Sequence, residues 1–289
     1  MSRRLRAALM IQWLPAWLLV QALAGAGAVA AIVPACAAVL AFDLALVALG
    51  YACVQRFDSR RTGLRCGLGE ILALFVLFCI IQPFERIWMG PEALGRIEGG
   101  RYPVLLVHGY LCNRGMWWRV RRRLRARQTL VATVDLEPPL GNLDALAQCL
   151  ADRIERLLFE TGAERIVLVT HSMGGLVGRA YLRRHGHARI ARLLMLAAPH
   201  HGTRTARLAC GQNARQMRIG SRWLDELNAQ PLPAVPLTNL WTVDDELVSP
   251  PDSARLAGTS EIVLDGIGHL AMVFSARVLA HIEDAVARE

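Results

Sequence analysis

The chain has 289 residues and a formal charge of +9, carried by 33 arginines with no lysine, and 54% of its residues are hydrophobic. Arginine, alanine and leucine replace their alternatives along the whole length, a bias of overall composition, so the basic balance alone does not argue for a nucleic-acid partner. Seven cysteines show no C-x-x-C pair and no zinc-type spacing, so each reads as a free thiol, with a disulfide between two of Cys112, Cys149 and Cys210 the alternative in an oxidising compartment.

The amino-terminal third is apolar. No residue is charged from Ala7 to Phe42, and only Asp43 interrupts before Arg56. A membrane span needs about 20 apolar residues, so this stretch predicts two transmembrane helices, near 7–24 and 28–53, turning at Gly25-Ala26-Gly27. It is too long for a signal peptide. A third run, Ile71 to Ile81, reaches the lower limit for a span when extended to 66–82, and then includes Glu70. Residues 1–82 are therefore expected to form a membrane anchor of about three helices. Asp43 would lie inside the second and pack against a polar neighbour or stay protonated. Arg3, Arg4 and Arg6, and later Arg56, Arg60, Arg61 and Arg65, mark two cytoplasmic segments. Three spans would then deliver the remainder to the periplasmic face of a bacterial inner membrane; one span fewer would leave it in the cytoplasm. Residues 83–100, ending in Gly99-Gly100, read as a linker.

From residue 101 onward short β-rich runs alternate with amphipathic segments, the pattern of a parallel α/β sheet. Val104 to Val107 is an unbroken apolar run, as in a strand buried on both faces. A helix is expected from Met116 to Arg127 and a strand from Leu130 to Asp135. Asn142 caps a long helix reaching about Thr161, with Leu146, Leu150, Ile154 and Leu157 at helical spacing. The strand Ile166 to Val169 precedes a helix from Gly174 to about Arg184. Strands follow at Leu193–Leu196, Leu237–Val243 and Glu261–Leu264, then a final helix over Leu270–Ala287. That makes about six mainly parallel strands flanked by helices.

The chemistry centres on Thr170-His171-Ser172-Met173-Gly174-Gly175, between a strand and a helix. A nucleophile elbow needs that context, and a turn so tight wants small residues two positions either side of the nucleophile. Gly174 meets this downstream, whereas Thr170 stands where glycine is usual. The base and acid should follow in the order Ser, Asp, His. Asp245 lies after one predicted strand and His269 after the next, both at strand carboxyl ends, where open α/β sheets bind ligands. Asp244 is the rival acid; the following Val and Pro favour Asp245. Backbone amides of Tyr110 and Met173 would hold an oxyanion, since His108-Gly109-Tyr110 follows the first strand.

The ordered set Val107-His108-Gly109, Thr170-His171-Ser172-Met173-Gly174, Ala198-Pro199-His200-His201-Gly202-Thr203, Asp245 and Gly268-His269 resembles the bacterial lipase/esterase branch of the α/β-hydrolases. The resemblance covers residues 101–289 and not the anchor. It implies a compact α/β-hydrolase fold, a Ser172–Asp245–His269 triad, hydrolysis of carboxylic esters, often lipid acyl esters, and no cofactor or metal. It also implies that the Pro-His-His-Gly-Thr stretch lines the site, with His200 and His201 structural or one layer behind it. His108, Gly109 and Trp117 are further candidates for the substrate lining. Trp117, Trp118 and the apolar residues between Gln216 and Leu232 suit an acyl-binding wall or lid, and equally suit ordinary core.

The arginines from Arg119 to Arg127 lack any nucleic-acid motif and read as a solvated helix face, with anionic headgroups the alternative contact. The expected partners are a hydrophobic ester and the bilayer; no protein partner is indicated. Two other functions use the same residues or none of them. An acyltransferase or thioesterase would share the acyl-serine intermediate, and a non-catalytic membrane scaffold would need no triad.

Overall fold

The computed structural model describes residues 63–92, 94–97 and 102–287, together with the isolated helical positions Pro34, Ala37, Ala41 and Ala45. The spans expected at 7–24 and 28–53, and Asp43, otherwise lie outside the described residues.

Six parallel strands form one sheet: β1 (Val104–Val107), β2 (Val131–Val134), β3 (Ile166–His171), β4 (Ile190–Leu196), β5 (Leu237–Thr242) and β6 (Ser260–Leu264). Their spatial order is β2-β1-β3-β4-β5-β6. The chain runs outward from β1 to β2, then crosses back to β3 on the other side. The loops after β1 and β3 therefore diverge at a topological switch point, the place where such sheets leave a crevice at the strand carboxyl ends.

Alternation along β1 divides the core. Leu105 and Val107 face one layer, built with helix α4 (Leu143–Thr161) and α5 (Met173–His185). Val104 and Leu106 face the other, built with α3 (Trp118–Ala126) and α8 (Ala276–Ala287). Helix α4 begins where the sequence signals it: Asn142 Oδ1 accepts the Ala145 amide at 2.7 Å. It ends at Gly162, whose φ of 72° a residue with a side chain rarely adopts. Two expected helices are broken near their starts. The one expected from Met116 opens with a 3₁₀ turn, Arg114–Trp117, and the one expected from Leu270 with another, Ala271–Phe274. Between β4 and β5 lie two short helices, α6 (Gln212–Gln216) and α7 (Arg222–Asn228). Met217, Leu224 and Leu227 there are buried in the first layer, so these residues of the candidate lid are core.

The expected third span is corrected. Residues 66–82 are helical, as α1 (Leu64–Phe75) continued by a π-helical stretch, Val76–Ile81, but they pack on the sheet's second layer through Ala73, Leu77 and Ile81. Glu70 and Gln82 are fully buried against protein, and both are hydrogen-bonded to loops of the hydrolase body. Among the described residues no helix is long and apolar enough to cross a membrane. The following stretch, expected as a linker, also lies against the body. The short helix α2 (Glu85–Met89) ion-pairs Glu85 to Arg114 at 2.7 Å, and Glu92 pairs with Arg153 at 2.8 Å. Not all of the arginine run is solvated: buried Arg121 donates to the carbonyls of Met89 and Pro91.

Candidate active site

Ser172 stands between β3 and α5 with φ 54° and ψ −126°. That left-handed backbone is costly for a serine and persists only where neighbours enforce it. Its amide is held by the Leu196 carbonyl at 2.7 Å, and the glycines around it leave no choice of residue. A Cβ at Gly174 would lie 2.7 Å from the His108 carbonyl oxygen and 2.8 Å from that of Val107. One at Gly109 would sit 3.0 Å from the Ser172 Cβ, and one at Gly175 would collide with Ala198. Thr170, where glycine is usual, is accommodated on the β4 side. Its hydroxyl donates to the Leu194 carbonyl at 3.2 Å, and its methyl group faces the space left by Gly178. Because Gly174 meets backbone that cannot yield, Gly174→Ala is expected to cost about 1–3 kcal/mol of stability, read as a lowered urea midpoint, and to reduce activity by displacing the elbow.

Asp245 and His269 are brought together. His269 Nδ1 lies 2.8 Å from Asp245 Oδ2, and both residues are buried. The other carboxylate oxygen accepts the amides of Leu247 at 2.9 Å and Val248 at 2.6 Å, which fixes its orientation. Burial alone would lower the His269 pKa. The Asp245 charge and its hydrogen bond, with a smaller contribution from Glu70, outweigh it and hold the imidazole above its ordinary value. The rival Asp244 is engaged by its Oδ2 with the Gly266 amide at 2.6 Å, while His269 Nδ1 is taken by Asp245.

His171, the chain neighbour of Ser172, packs against His269. The His171 ring lies 4.6 Å from that of His269, centroid to centroid, and His171 Nε2 is 3.1 Å from the His269 carbonyl oxygen. Burial keeps His171 well below the ordinary imidazole pKa, with the His269 charge acting the same way, so it is neutral and donates that bond. The Ser172 hydroxyl makes no hydrogen bond with His269 among the described residues; such contacts commonly tighten only when substrate is bound.

The loop after β1 forms the other wall. His108 is buried, and its pKa is lowered chiefly by that burial. Nε2 accepts the Leu136 amide at 3.0 Å, so Nδ1 carries the proton and donates to the Gly109 carbonyl at 2.9 Å. His108 therefore holds the loop rather than lining a pocket. The Tyr110 hydroxyl donates to the Cys210 carbonyl at 2.7 Å and accepts its amide at 3.1 Å, and Gly109, the residue before Tyr110, packs against the Ser172 Cβ. Met173 is the first residue of α5, where an amide has no partner within the helix. Asn113 Nδ2 donates to the Gln82 carbonyl at 2.9 Å, and Gln82 Oε1 accepts the Asn113 amide at 2.7 Å.

Two further candidates lie in the interior. Trp117 is wholly buried in the second layer, edge-on to His171 at 6.5 Å, so it is core. His200 is wholly buried too, with Nδ1 3.4 Å from Arg179 Nη1 and Nε2 3.3 Å from Asn239 Oδ1. Its pKa is well lowered by burial and then by Arg179. His201 is exposed. The Pro-His-His-Gly-Thr stretch instead supports the acid loop: the hydroxyls of Thr203 and Thr205 donate to the Leu247 carbonyl at 2.7 and 2.6 Å.

Sequence reasoning passed over Glu70, Gln82, His171 and Glu246. The available signal was a carboxylate inside an apolar run, which a bilayer tolerates poorly and a protein interior accepts when amides are aimed at it. Among the described residues no group of three or more His, Cys, Asp and Glu side chains is arranged to hold a metal ion.

This sheet order with an elbow after β3 defines a class, and residues 104–284 match the family model described as "Alpha/beta hydrolase family". The chain belongs to the α/β-hydrolase family. Its fold resembles that of Bacillus licheniformis lipase BlEst2 in mature form, with a TM-score of 0.60 and 15% identity over 67% of this chain and 95% of that one. Aspergillus fumigatus lipase B gives a TM-score of 0.58 and 17% identity over 68% of this chain, which spans 55% of that lipase. A bromoperoxidase from Bacillus anthracis is similar at a TM-score of 0.50 and 14% identity, over 66% of this chain and 94% of that one. At such identities the likeness is one of fold, and chemistry has to be argued from the site.

Proposed function

We propose that this chain is a membrane-associated serine hydrolase that cleaves carboxylic esters, with lipid acyl esters as its substrate class. The observation that carries the reading is the buried Asp245–His269 pair at 2.8 Å, beside a strained elbow bearing Ser172. In the reaction, Ser172 Oγ attacks the ester carbonyl carbon while His269 Nε2 takes the hydroxyl proton. Asp245 holds the Nδ1 proton and stabilises the imidazolium. The carbonyl oxygen gains charge opposite the amides of Tyr110 and Met173. Collapse breaks the C–O bond, and the departing alcohol takes the proton from His269. Water then attacks the acyl-serine with the same proton transfers, releasing the carboxylic acid and restoring Ser172.

A hydrophobic substrate is favoured by exposed apolar side chains on loops leaving the strand carboxyl ends: Leu111, Leu140, Leu208 and Ile219. Membrane association is favoured by the long apolar stretch before residue 56, in which Asp43 is the one charged residue after Arg6, and by the exposed Leu68, Leu72, Ile87 and Trp88 on the segment that follows it. With residues 66–82 engaged by the hydrolase body, spans at 7–24 and 28–53 alone return the chain to the side of its amino terminus. The hydrolase then faces the cytoplasm, and a carboxyl-terminal alkaline phosphatase fusion should be inactive. Activity is tested with p-nitrophenyl esters of increasing chain length. The expected result is kcat/KM rising from acetyl to octanoyl; a preference for acetyl would remove the lipid substrate and leave the esterase.

A further inference from the structure

Helix α1 reads in the sequence as part of a membrane span, yet it reaches into the loop that carries His269. Glu70, fully buried on α1, accepts the Leu270 amide on Oε1 at 2.7 Å and the Ala271 amide on Oε2 at 2.8 Å. Glu246, also buried, accepts the amide of His269 itself at 3.2 Å. Three consecutive amides thus end on two carboxyl groups from distant parts of the chain. Gly268 completes the fit, because a Cβ there would collide with Glu70 Oε2. The Asp245 bond fixes the imidazole about its Nδ1 only. It does not fix the main chain from which the ring projects.

Resting on the serine-hydrolase reading above, we infer that Glu70 is a positioning residue: by anchoring the backbone of residues 270–271 it sets the reach of the His269 imidazole toward Ser172.

The charge arrangement suits this role. Burial, then the charge of Glu70 and a hydrogen bond to it, raise the Glu246 pKa well above the carboxylate range, so Glu246 carries a proton. Glu70 commits both carboxyl oxygens to main-chain amides, one to each of two successive residues. The titratable groups facing His269 are Asp245 and Glu246 from the loop after β5, His171 from the end of β3, and Glu70 from α1. Of these, only Glu70 comes from outside the sheet and its loops. It lies on the segment that joins the hydrolase to the proposed anchor.

The test compares Glu70→Ala, Glu70→Gln, Glu246→Gln and Ser172→Ala in the full chain, with p-nitrophenyl butyrate as substrate and thermal melting as a check on folding. A misplaced base slows the chemical step without weakening ground-state binding, so Glu70→Ala should lose about 100-fold in kcat with KM little changed. Glu70→Gln keeps one acceptor oxygen and should lose less. Glu246→Gln mimics the neutral acid and should lose less again. If Glu70→Ala fails to fold, Glu70→Gln carries the test alone. A folded Glu70→Gln with wild-type kcat, or with a change in KM only, overturns the positioning role. Turnover retained by Ser172→Ala would instead overturn the serine-hydrolase reading beneath it.

Discussion

Replacing Ser172 with alanine is expected to lower kcat for ester hydrolysis by about 10⁴- to 10⁶-fold and to abolish labelling by a fluorophosphonate probe. The effect should be chemical rather than structural. Serine and alanine carry the same Cβ and meet the same penalty at φ 54°, and the amide bond to Leu196 does not involve the side chain. The melting temperature of Ser172→Ala should therefore match the wild type while the acyl-enzyme disappears. Equal labelling of both proteins would show that the probe reacts elsewhere and would remove Ser172 from the mechanism. A non-catalytic scaffold would label in neither form, so one experiment separates three readings of the same fold.

What was legible in the sequence, and what was not, follows from which partners carry a side-chain signature. Val104–Val107 could be placed to the residue because an apolar run bounded by turn signals has few other uses in an α/β pattern. The elbow was legible because its constraint is local: Gly174 and Gly175 sit beside Ser172 in the chain as they do in space. Asp245 and His269 were legible from their position after successive strands. Glu70 was not. Hydrophobic periodicity does not distinguish a helix buried in lipid from one buried in protein, and the amides that receive its carboxylate lie 200 and 201 residues later in the chain. Backbone amides look alike whatever the residue. Trp117 is open between wall and core in the sequence for a related reason: an aromatic next to the oxyanion loop can turn toward the crevice or the core, and the structure buries it in the second core layer. The histidines of the Pro-His-His-Gly-Thr stretch divide likewise, His200 into a polar network and His201 into solvent.

Changing Asp245 to asparagine should cost about 10⁴-fold in kcat, whereas Asp244→Asn should stay within about tenfold of the wild type. In the native site the carboxylate presents only acceptors to His269 Nδ1, so that nitrogen keeps its proton and Nε2 is free to accept one from Ser172. An asparagine can turn its amide nitrogen toward the ring, which favours the opposite tautomer and leaves Nε2 protonated. Asp244→Asn keeps an oxygen for the Gly266 amide and does not touch the imidazole. The pH profile gives an independent reading. The base must be neutral, so kcat/KM should fall on the acid side through the His269 pKa, which Asp245 and Glu70 hold above the ordinary imidazole value against the effect of burial. With Asp245 neutralised, burial acts with less opposition, and the residual activity of Asp245→Asn should persist to lower pH than that of the wild type. An acid limb that stays in place in Asp245→Asn, or that moves instead in Asp244→Asn, would assign the charge sensed by the imidazole to a residue other than Asp245.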